Sequence, residues 1–380
     1  MPKLVTFCSD TSQVEVAITA GCTHLILEDS KLSIRSFSDD FLTPTLEKIS
    51  QLSHRARQLS PAVELSINCD FLAHDTHFLW VKKAILIAKD CGIRHFRVQD
   101  PGVGVFIRDS YPNAFLTLAT ETGNQNLHSI GYWCTLFDSQ ELGIELPYEE
   151  IEKTVAAYPD YPFGLQVQGP ILIQYSFRRF LEGRYHHKKP LVASAQDQEY
   201  PGRSYRFYDT EHGHFMYLYF DRCLYPYMEK LSLLRLSSWL VDARGESLGY
   251  LKESLALYKQ EGSWDVFLSE TKRPQKPGFF LANLTDQTRE IETPFSTDGF
   301  EEWGVIVDVA KPYWITVKPG FYCNNPIAAI IATPEGKKIH IDTLRLYDVN
   351  LNPIHDPASF SLIRLPYLKG VTTQSRVFVR

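Results

Sequence analysis

The most constraining feature of this sequence is a regular alternation, over about its first 260 residues, of short apolar runs with longer amphipathic stretches. Short apolar runs bounded by turn residues predict buried strands, and apolar residues at helical spacing predict the helices between them. The eight predicted strands are Leu4–Ser9, His24–Asp29, Ala62–Cys69, His95–Val98, Phe115–Thr120, Leu142–Leu146, Phe163–Val167 and Leu234–Val241. Because most of them precede a helix, we predict an α/β fold, a (β/α)8 TIM-like barrel, with a doubly wound sheet as the alternative.

The predicted helices carry start and stop signals. Ser12 and Glu15 have the spacing of a capping box, Gly21 and Gly92 stand where helices should end, and Pro147 suits a first helical position. The predicted helices are residues 12–20, 42–59, 78–91, 127–137, 148–157 and 248–259.

The barrel pattern contains an insertion and then ends. The insertion spans about 170–230 and contains Tyr205–Phe220, a tyrosine-rich alternating segment that predicts a hairpin. Near Lys272–Gly278 the sequence becomes rich in Pro and Gly, and after it the helical period disappears. We therefore predict two domains, a barrel over 1–265 and a C-terminal β-barrel domain over 270–380.

Composition limits the classes of function. The net charge is −6, which argues against a strongly basic nucleic-acid-binding surface but leaves room for a local basic patch. The seven cysteines contain no C-x-x-C pair, so they predict neither a disulfide framework nor a zinc ribbon. The N-terminus lacks an apolar signal segment, and the longest apolar stretch, 326–333, is too short to span a bilayer. We expect a cytoplasmic protein with no membrane contact.

Polar side chains recur where the predicted strands end. In a (β/α)8 barrel these positions line the catalytic face, so together they predict a polar ligand pocket with paired carboxylates. The residues are Ser9, Asp10, Glu28, Asp29, Asn68, Cys69, Asp70, Gln99, Asp100, Glu121, Glu145, Gln168, Asp242 and Arg244. For any single residue, capping of the following helix is the alternative interpretation.

Two other motifs have ordinary explanations. Residues 245–249 match the G-x-S-x-G nucleophile elbow around Ser247, but the chain beyond is nearly all β, so a strand-to-helix turn is favoured. His212 and His214 have a spacing that could place two metal ligands on one face of a strand. No third ligand lies nearby, so we interpret them as a polar hairpin tip and predict no metal site.

Several segments, in order along nearly the whole chain, resemble motifs of the collagenase-like U32 peptidase family. The longest is Gly169–Arg178, preceded by Leu165–Gln168, which is similar to a V-H-G strand running into C-x-x-Y-S-G-x-C. The other matching segments are Ala20–Leu27, Val98–Gly102, Glu145–Ile151, Asp221–Leu224, Asp242–Arg244 and Lys272–Phe280.

The resemblance implies a barrel followed by a β-domain. It also implies oxygen-independent hydroxylation of tRNA or rRNA bases or of quinone precursors, with a four-iron cluster held by four cysteines, although members are named peptidases. Here the first two cysteine positions hold Leu172 and Arg179, and the third falls in Val192–Gln196, which has no cysteine. Only Cys223 remains, as a remnant ligand, so we expect neither the cluster nor another cofactor.

Other family positions are also changed, and two hypotheses stay open. The signature histidine is Gln168, and the arginine before Glu145 is Ile144. In the first hypothesis, a divergent enzyme without the cluster acts on a polar small molecule, RNA or a peptide. Its predicted catalytic residues are Asp100, Glu145, Asp242 and Arg244, and its predicted substrate-binding residues are Asn68, Gln99, Gln168 and Tyr175. In the second, the chain is a non-catalytic scaffold or partner subunit that contacts another protein through 175–227.

Overall fold

The computed structural model divides the chain into two compact units, Met1–Asp286 and Gln287–Arg380. The structure describes residues 2–35, 46–120, 123–181, 191–196, 203–281, 299–320, 326–333, 337–354, 357 and 362–380. The predicted site residue Glu121 and the first four residues of the predicted helix 42–59 lie outside them.

The first unit is built on a closed barrel of eight parallel strands, which confirms the predicted fold class. The strands are β1 (Lys3–Cys8), β2 (His24–Leu27), β3 (Glu64–Cys69), β4 (His95–Val98), β5 (Phe115–Ala119), β6 (Ser139–Leu142), β7 (Phe163–Ser176) and β11 (Ser238–Val241). Consecutive strands pair in parallel from β1 to β7. The barrel closes because β11 pairs with both β1 and β7.

The sixth strand was predicted wrongly at Leu142–Leu146. It is Ser139–Leu142, and the following residues form a turn in which the Leu146 N–H donates to the Gly143 carbonyl at 3.1 Å. The error has a physical cause: Ser139 and Glu141 face the polar interior of the barrel, so the strand lacks an apolar run.

Helices alternate with the barrel strands. They are α1 (Thr11–Thr19), α2 (Glu47–Leu59), α3 (Phe78–Asp90), α4 (Pro101–Ser110), α5 (Leu127–Trp133), α6 (Tyr148–Ala157), α7 (Met228–Leu233), α8 (Leu248–Tyr258) and α9 (Trp264–Glu270). The N-cap of α1 is Asp10, whose carboxylate accepts from Gln13 N–H, rather than Ser12. Helix α4 was not predicted because two glycines lower its helical propensity; Asp100 caps it, and Pro101 occupies its first turn.

Strand β7 continues beyond the barrel and carries the insertion. The insertion strands are β8 (Leu191–Gln196), β9 (Ser204–Thr210) and β10 (Gly213–Cys223). They add to β7 in the order β7–β10–β9–β8, with β9 and β10 forming the predicted hairpin. A short strand, β12 (Gln275–Lys276), pairs with β10.

The second unit is an antiparallel sheet, as the all-β prediction required. Its strands are β13 (Glu301–Ala310), β14 (Trp314–Pro319), β15 (Ala329–Ala332), β16 (Lys338–Ile341), β17 (Leu346–Tyr347), β18 (Pro353–Ile354), β19 (Ile363–Pro366) and β20 (Arg376–Val379). They follow the order β16–β15–β20–β13–β14–β19–β17–β18. Trp303, Ile306 and Val377 lie in the core of this sheet.

The barrel interior is unusually polar. Its apolar cluster contains only Val5, Phe7, Ile26 and Leu240 among the described residues. The main apolar core instead lies between the strands and the surrounding helices. Barrel interiors are usually filled by layers of branched apolar side chains, so the polar interior of this barrel has to be stabilised by pairing of its charged groups.

Gly169 lies where β7 leaves the barrel, and a substitution there measures how closely the backbone packs at this junction. Its φ is +124°, and a Cβ there would lie 2.3 Å from the Asp242 carbonyl oxygen. We predict that Gly169→Ala lowers the free energy of unfolding by roughly 3 kcal/mol or more. Gly92 has φ +67° but open space around it, so Gly92→Ala should cost only about 1 kcal/mol. Urea unfolding measures both values, and equal losses would contradict the prediction.

Candidate functional site

Arg244 organises one half of a buried charged network at the C-terminal end of the barrel. Its guanidinium donates to both carboxylate oxygens of Asp242, from Nε at 2.9 Å and from Nη2 at 2.7 Å. Its Nη1 donates to Glu28 Oε1 at 3.0 Å. Since all three side chains are buried, these charges are compensated by one another rather than by solvent.

Arg97 organises the other half. Its Nε and Nη2 donate to the two carboxylate oxygens of Glu141, at 2.9 and 2.7 Å. Its Nη1 donates to Asp70 Oδ2 at 2.8 Å and to Asn68 Oδ1 at 3.1 Å. The side chain therefore joins strands β3, β4 and β6 across the barrel interior.

The two halves are connected through Asn68 and Phe7. Asn68 Nδ2 donates to Glu28 Oε1 at 3.0 Å, so this amide bonds to both halves. The Phe7 ring has Arg244 Cζ 3.6 Å from its centroid and Arg97 Cζ at 5.1 Å. A third arginine, Arg35, approaches Asp242 with Nη1 3.6 Å from Oδ2. We call Glu28, Arg35, Asn68, Asp70, Arg97, Glu141, Asp242 and Arg244 the arginine–carboxylate network.

One carboxyl group of this network differs electrostatically from the others. Burial raises the pKa of Glu28 to about 7, because Arg244 only partly offsets the desolvation, and Asp70 and Asp242 add repulsion. For Asp70 and Asp242, burial also acts upward, but the neighbouring arginines outweigh it and hold each pKa below its ordinary value. Glu28 is therefore the member of the network suited to gain or lose a proton near neutral pH.

A cavity of about 30 Å³ adjoins the network. Arg35, Arg97 and Glu141 line it, together with Thr120, whose buried hydroxyl has no hydrogen-bond partner among the described residues. This volume holds a water molecule or two, which would give the Thr120 hydroxyl a partner.

The predicted site residues fall into two groups. Asn68, Asp242 and Arg244 belong to the network. Asp100 does not, because its carboxylate accepts from backbone N–H groups of α4 and, at 3.0 Å, from Ala73 N–H. For this residue the alternative interpretation, helix capping, describes the contacts.

The remaining predicted residues lie around the network rather than in it. The side-chain amide of Gln168 donates to Tyr250 Oη at 2.6 Å, and the backbone carbonyl of Gln168 accepts from Asp242 N–H at 2.9 Å. Gln99 follows β4, and its buried Oε1 has no hydrogen-bond partner in the part of the chain that the structure describes. Glu145 accepts from Gln125 after β6. Tyr175 lies on the extension of β7 beyond the barrel, where its hydroxyl donates to the His212 carbonyl at 3.0 Å.

Sequence reasoning did not select Arg35, Arg97 or Glu141, and it noted Glu28 and Asp70 without choosing them. The two-residue period of strands was the sequence signal that could have identified Arg97. Positions 95 and 97 share the inward face of β4, so a charged residue at 97 had to meet a partner inside the barrel.

Ser247, His212 and His214 have structural contacts. Ser247 caps α8, with its Oγ accepting from Tyr250 N–H at 3.0 Å. His214 Nδ1 bonds to Asp209 Oδ1 at 2.6 Å, whereas His212 Nε2 bonds to the Ser30 carbonyl at 2.7 Å. Within the described part of the chain, no group of three or more His, Cys, Asp or Glu side chains is arranged to hold a metal ion.

The four positions that correspond to cluster cysteines do not form a thiolate ligand set. Leu172 is buried, Arg179 is exposed, and strand β8 contains no cysteine. Cys223 is buried beside Tyr258, with Sγ 4.0 Å from Oη, and burial raises its thiol pKa to about 11. These residues do not fit an iron–sulfur cluster, which needs a thiolate or equivalent ligand at each iron.

The described helices include none with the length and apolar character needed to cross a membrane.

The raised pKa of Glu28 predicts a pH-dependent stability. The pKa of Glu28 is about 7 in the folded protein, against an ordinary value of 4.5. The folded state therefore binds this proton more tightly than the unfolded state, which adds stability below about pH 4.5 that is lost as the pH rises through 7. We expect the free energy of unfolding of the wild type, minus that of Glu28→Gln, to fall across this window by up to about 1.4 kcal/mol per pH unit. Urea unfolding at a series of pH values measures the difference.

Glu64→Gln is the matched control for this pH dependence. Burial raises the pKa of Glu64, but the hydrogen bond from Lys3 and the charges of Lys3, His24 and His95 together outweigh it, so the net shift is downward and the stability contribution is lost as the pH falls. The two Glu→Gln differences should therefore have opposite slopes. A Glu28→Gln difference that stays constant with pH would refute a neutral-range pKa for Glu28.

Comparisons with known proteins gave matches to a curated protein and to solved structures. The tRNA hydroxylation protein P2 of Bacillus subtilis (strain 168) is 21% identical over 308 residues, which cover 77% of this chain and 97% of that protein. Among solved structures, thiamine phosphate pyrophosphorylase from Pyrococcus furiosus is 9% identical, with a TM-score of 0.38 over 68% of this chain and 94% of that one. A GH18 chitinase from Cycas revoluta is 10% identical, with a TM-score of 0.38 over 68% and 98%. These structural scores are too low to support an argument.

The family comparison covers most of the chain. The model of Peptidase family U32 matches residues 9–298, a range that includes seven of the eight barrel strands, the arginine–carboxylate network and the hairpin. The chain therefore belongs to Peptidase family U32.

Proposed function

We propose that this protein binds tRNA and takes part in tRNA modification in the cytoplasm, without an iron–sulfur cluster of its own. The name of the B. subtilis relative and the shared family support the substrate class. The observation that carries the proposal is a surface on the hairpin where cations lie against aromatic rings. We call it the aromatic–cationic surface and define it by Arg203, Tyr205, Tyr219, Phe220 and Lys276.

Tyr219 is the centre of the aromatic–cationic surface. Lys276 Nζ lies 4.7 Å from the Tyr219 ring centroid and 5.3 Å from that of Phe220. Arg203 Cζ lies 5.3 Å from the Tyr219 centroid. Tyr205 and Phe220 flank Tyr219 with ring centroids 6.0 and 5.0 Å away. Tyr219 is partly exposed and Lys276 is exposed, so solvent reaches both the rings and the charges.

This combination suits RNA because each part of a nucleotide has a partner in it. Cationic groups contact phosphates, while ring faces stack on unpaired bases without demanding a particular sequence. The net charge of −6 is no obstacle, because binding depends on the local arrangement of charge. The alternative for the same hairpin is a protein partner, which would leave tRNA binding unaffected by changes to these residues.

The arginine–carboxylate network is the proposed centre for a polar substrate group. Arg244 and Asp242 orient one another, and Glu28 supplies the group that can exchange a proton. A peptidase reaction has weaker support, because Ser247 is engaged in capping α8. In the non-catalytic alternative the same network only stabilises the barrel, and tRNA binding by the hairpin remains.

Tyr219→Ala and Lys276→Ala test the aromatic–cationic surface. Losing one stacked base should weaken the binding of unmodified tRNA by roughly 5- to 100-fold, and losing Lys276 should lower the salt slope of log K by about one. Fluorescence anisotropy at several salt concentrations measures both.

Matched controls are Tyr132→Ala and Lys153→Ala, which remove the same groups from other exposed positions. They should bind tRNA as the wild type does. Equal losses in all four variants, or no loss in any, would refute the proposed surface.

The proposal of a missing cluster predicts the metal content of the protein. Purified without oxygen, the protein should contain far less than one iron per chain and should lack the broad visible absorbance of an iron–sulfur cluster, because only Cys223 remains of the four ligand positions. Iron analysis and a visible spectrum test this. Stoichiometric iron that persists in Cys223→Ser would show that other residues hold a cluster, and iron that is lost in Cys223→Ser would show that Cys223 is still a ligand.

A further inference from the structure

A second and larger cavity lies at the opposite, N-terminal end of the barrel. Its volume is about 160 Å³, and every barrel strand contributes to its lining. We call it the N-terminal pocket and define it by His24, Ser66, His95, Thr117, Ser139 and Ser238. The Arg97–Glu141 ion pair closes its inner end, since both residues also line the small cavity beside the arginine–carboxylate network.

The N-terminal pocket exists because small side chains replace the branched apolar residues that usually fill a barrel. Ser66, Thr117, Ser139 and Ser238 stand at inward positions on four different strands. Gly164 adds to the space, and a Cβ there would lie 2.5 Å from Ser238 Oγ. The result is a cavity comparable in volume to engineered protein cavities that bind benzene.

The charges at the N-terminal pocket are internally paired. Lys3 Nζ lies 2.6 Å from Glu64 Oε1, and Arg97 is bidentate with Glu141. Burial lowers the pKa of His24 to about 4, and burial lowers that of His95 as well, so burial favours the neutral form of both imidazoles. An ionic ligand would therefore find no uncompensated charge of the opposite sign.

The lining combines apolar side chains, among them Val5, Ile26 and Leu240, with several hydrogen-bonding groups. Thr117 Oγ1 and Ser139 Oγ lie 2.7 Å apart, and His24 Nε2 bonds to Ser66 Oγ at 2.5 Å. A hydroxyl has one donor and two acceptor sites, so each pair keeps capacity for a further partner. An apolar ligand would leave this capacity unused in a partly enclosed space.

We propose that the N-terminal pocket binds an uncharged, hydrogen-bonding small molecule of about six to eight non-hydrogen atoms. The size follows from the volume, the absence of charge from the paired ions, and the polarity from the ring of hydroxyl and imidazole groups. This inference does not rest on tRNA binding, because the aromatic–cationic surface and the N-terminal pocket share no residue.

The test uses three small probes with the full-length protein. The probes are 2-imidazolidinone, which is neutral and polar, methylcyclopentane, which has a similar shape but is apolar, and acetate, which is charged. Ligand-observed NMR titration should show saturable binding of 2-imidazolidinone, with a Kd of about 1 mM. Binding of the other two should be at least about tenfold weaker.

Variants locate the binding. Ser139→Leu fills the N-terminal pocket and should abolish binding, whereas Thr117→Val removes one hydroxyl at nearly constant volume and should weaken it roughly five-fold. Ser232→Leu makes the same change as Ser139→Leu at an exposed position of α7 and should bind like the wild type. If Ser139→Leu fails to fold, Thr117→Val still decides the location.

Three results would overturn the proposal. They are no saturable binding of 2-imidazolidinone to the wild type, binding that is unchanged in Thr117→Val, and a preference for methylcyclopentane or acetate. The first would identify the pocket as a hydrated end of the barrel, the second would place the binding elsewhere, and the third would contradict the assigned chemistry.

Discussion

The compensation of buried charge inside the barrel is the constraint on which the first unit depends. Arg244 and Arg97 each make a bidentate pair with one carboxylate and a further bond to another, and all of these groups are buried except Glu141, which is partly buried. The charged members come from β4 and β6 and from the segments that follow β2, β3 and β11, so the network links strands around the barrel. Removing one arginine would leave buried carboxylates without a counter-charge, which typically costs about 3–5 kcal/mol.

The same pairing divides the barrel interior into two chemically different ends. Arg97 and Glu141 lie between the small cavity at the C-terminal end and the N-terminal pocket. At the first end, Glu28 can titrate near neutral pH; at the second, the charges are paired and the imidazoles are held toward their neutral forms. A barrel filled with apolar layers would have neither the small cavity nor the N-terminal pocket. Both exist because this sequence has Ser, Thr and Arg at inward positions of short strands.

Much of the fold could be predicted from local sequence, because strands that are buried on both faces appear as apolar runs and the helices between them have a clear period. Strand β6 was misplaced because its inward residues are polar, and α4 was missed because of its glycines. Of the site, Asn68, Asp242 and Arg244 were found at strand ends. Arg97 and Glu141 could not be chosen in the same way, since their importance arises only when distant strands bring them within 3 Å of each other.

Cys223, at a position where the family resemblance implies a cluster ligand, has a packing role in this structure. Tyr258 Oη donates to the Val167 carbonyl at 2.7 Å and accepts from Leu224 N–H at 3.0 Å, so this hydroxyl joins β7 to the end of β10, where the thiol is buried against it. A thiol with a pKa raised to about 11 stays protonated at neutral pH and packs as a small apolar group. The packing between β7, β10 and α8 therefore accounts for a buried, protonated thiol at this position. In the barrel, Glu28 of the arginine–carboxylate network is the carboxyl group whose pKa, raised to about 7, suits proton exchange near neutral pH.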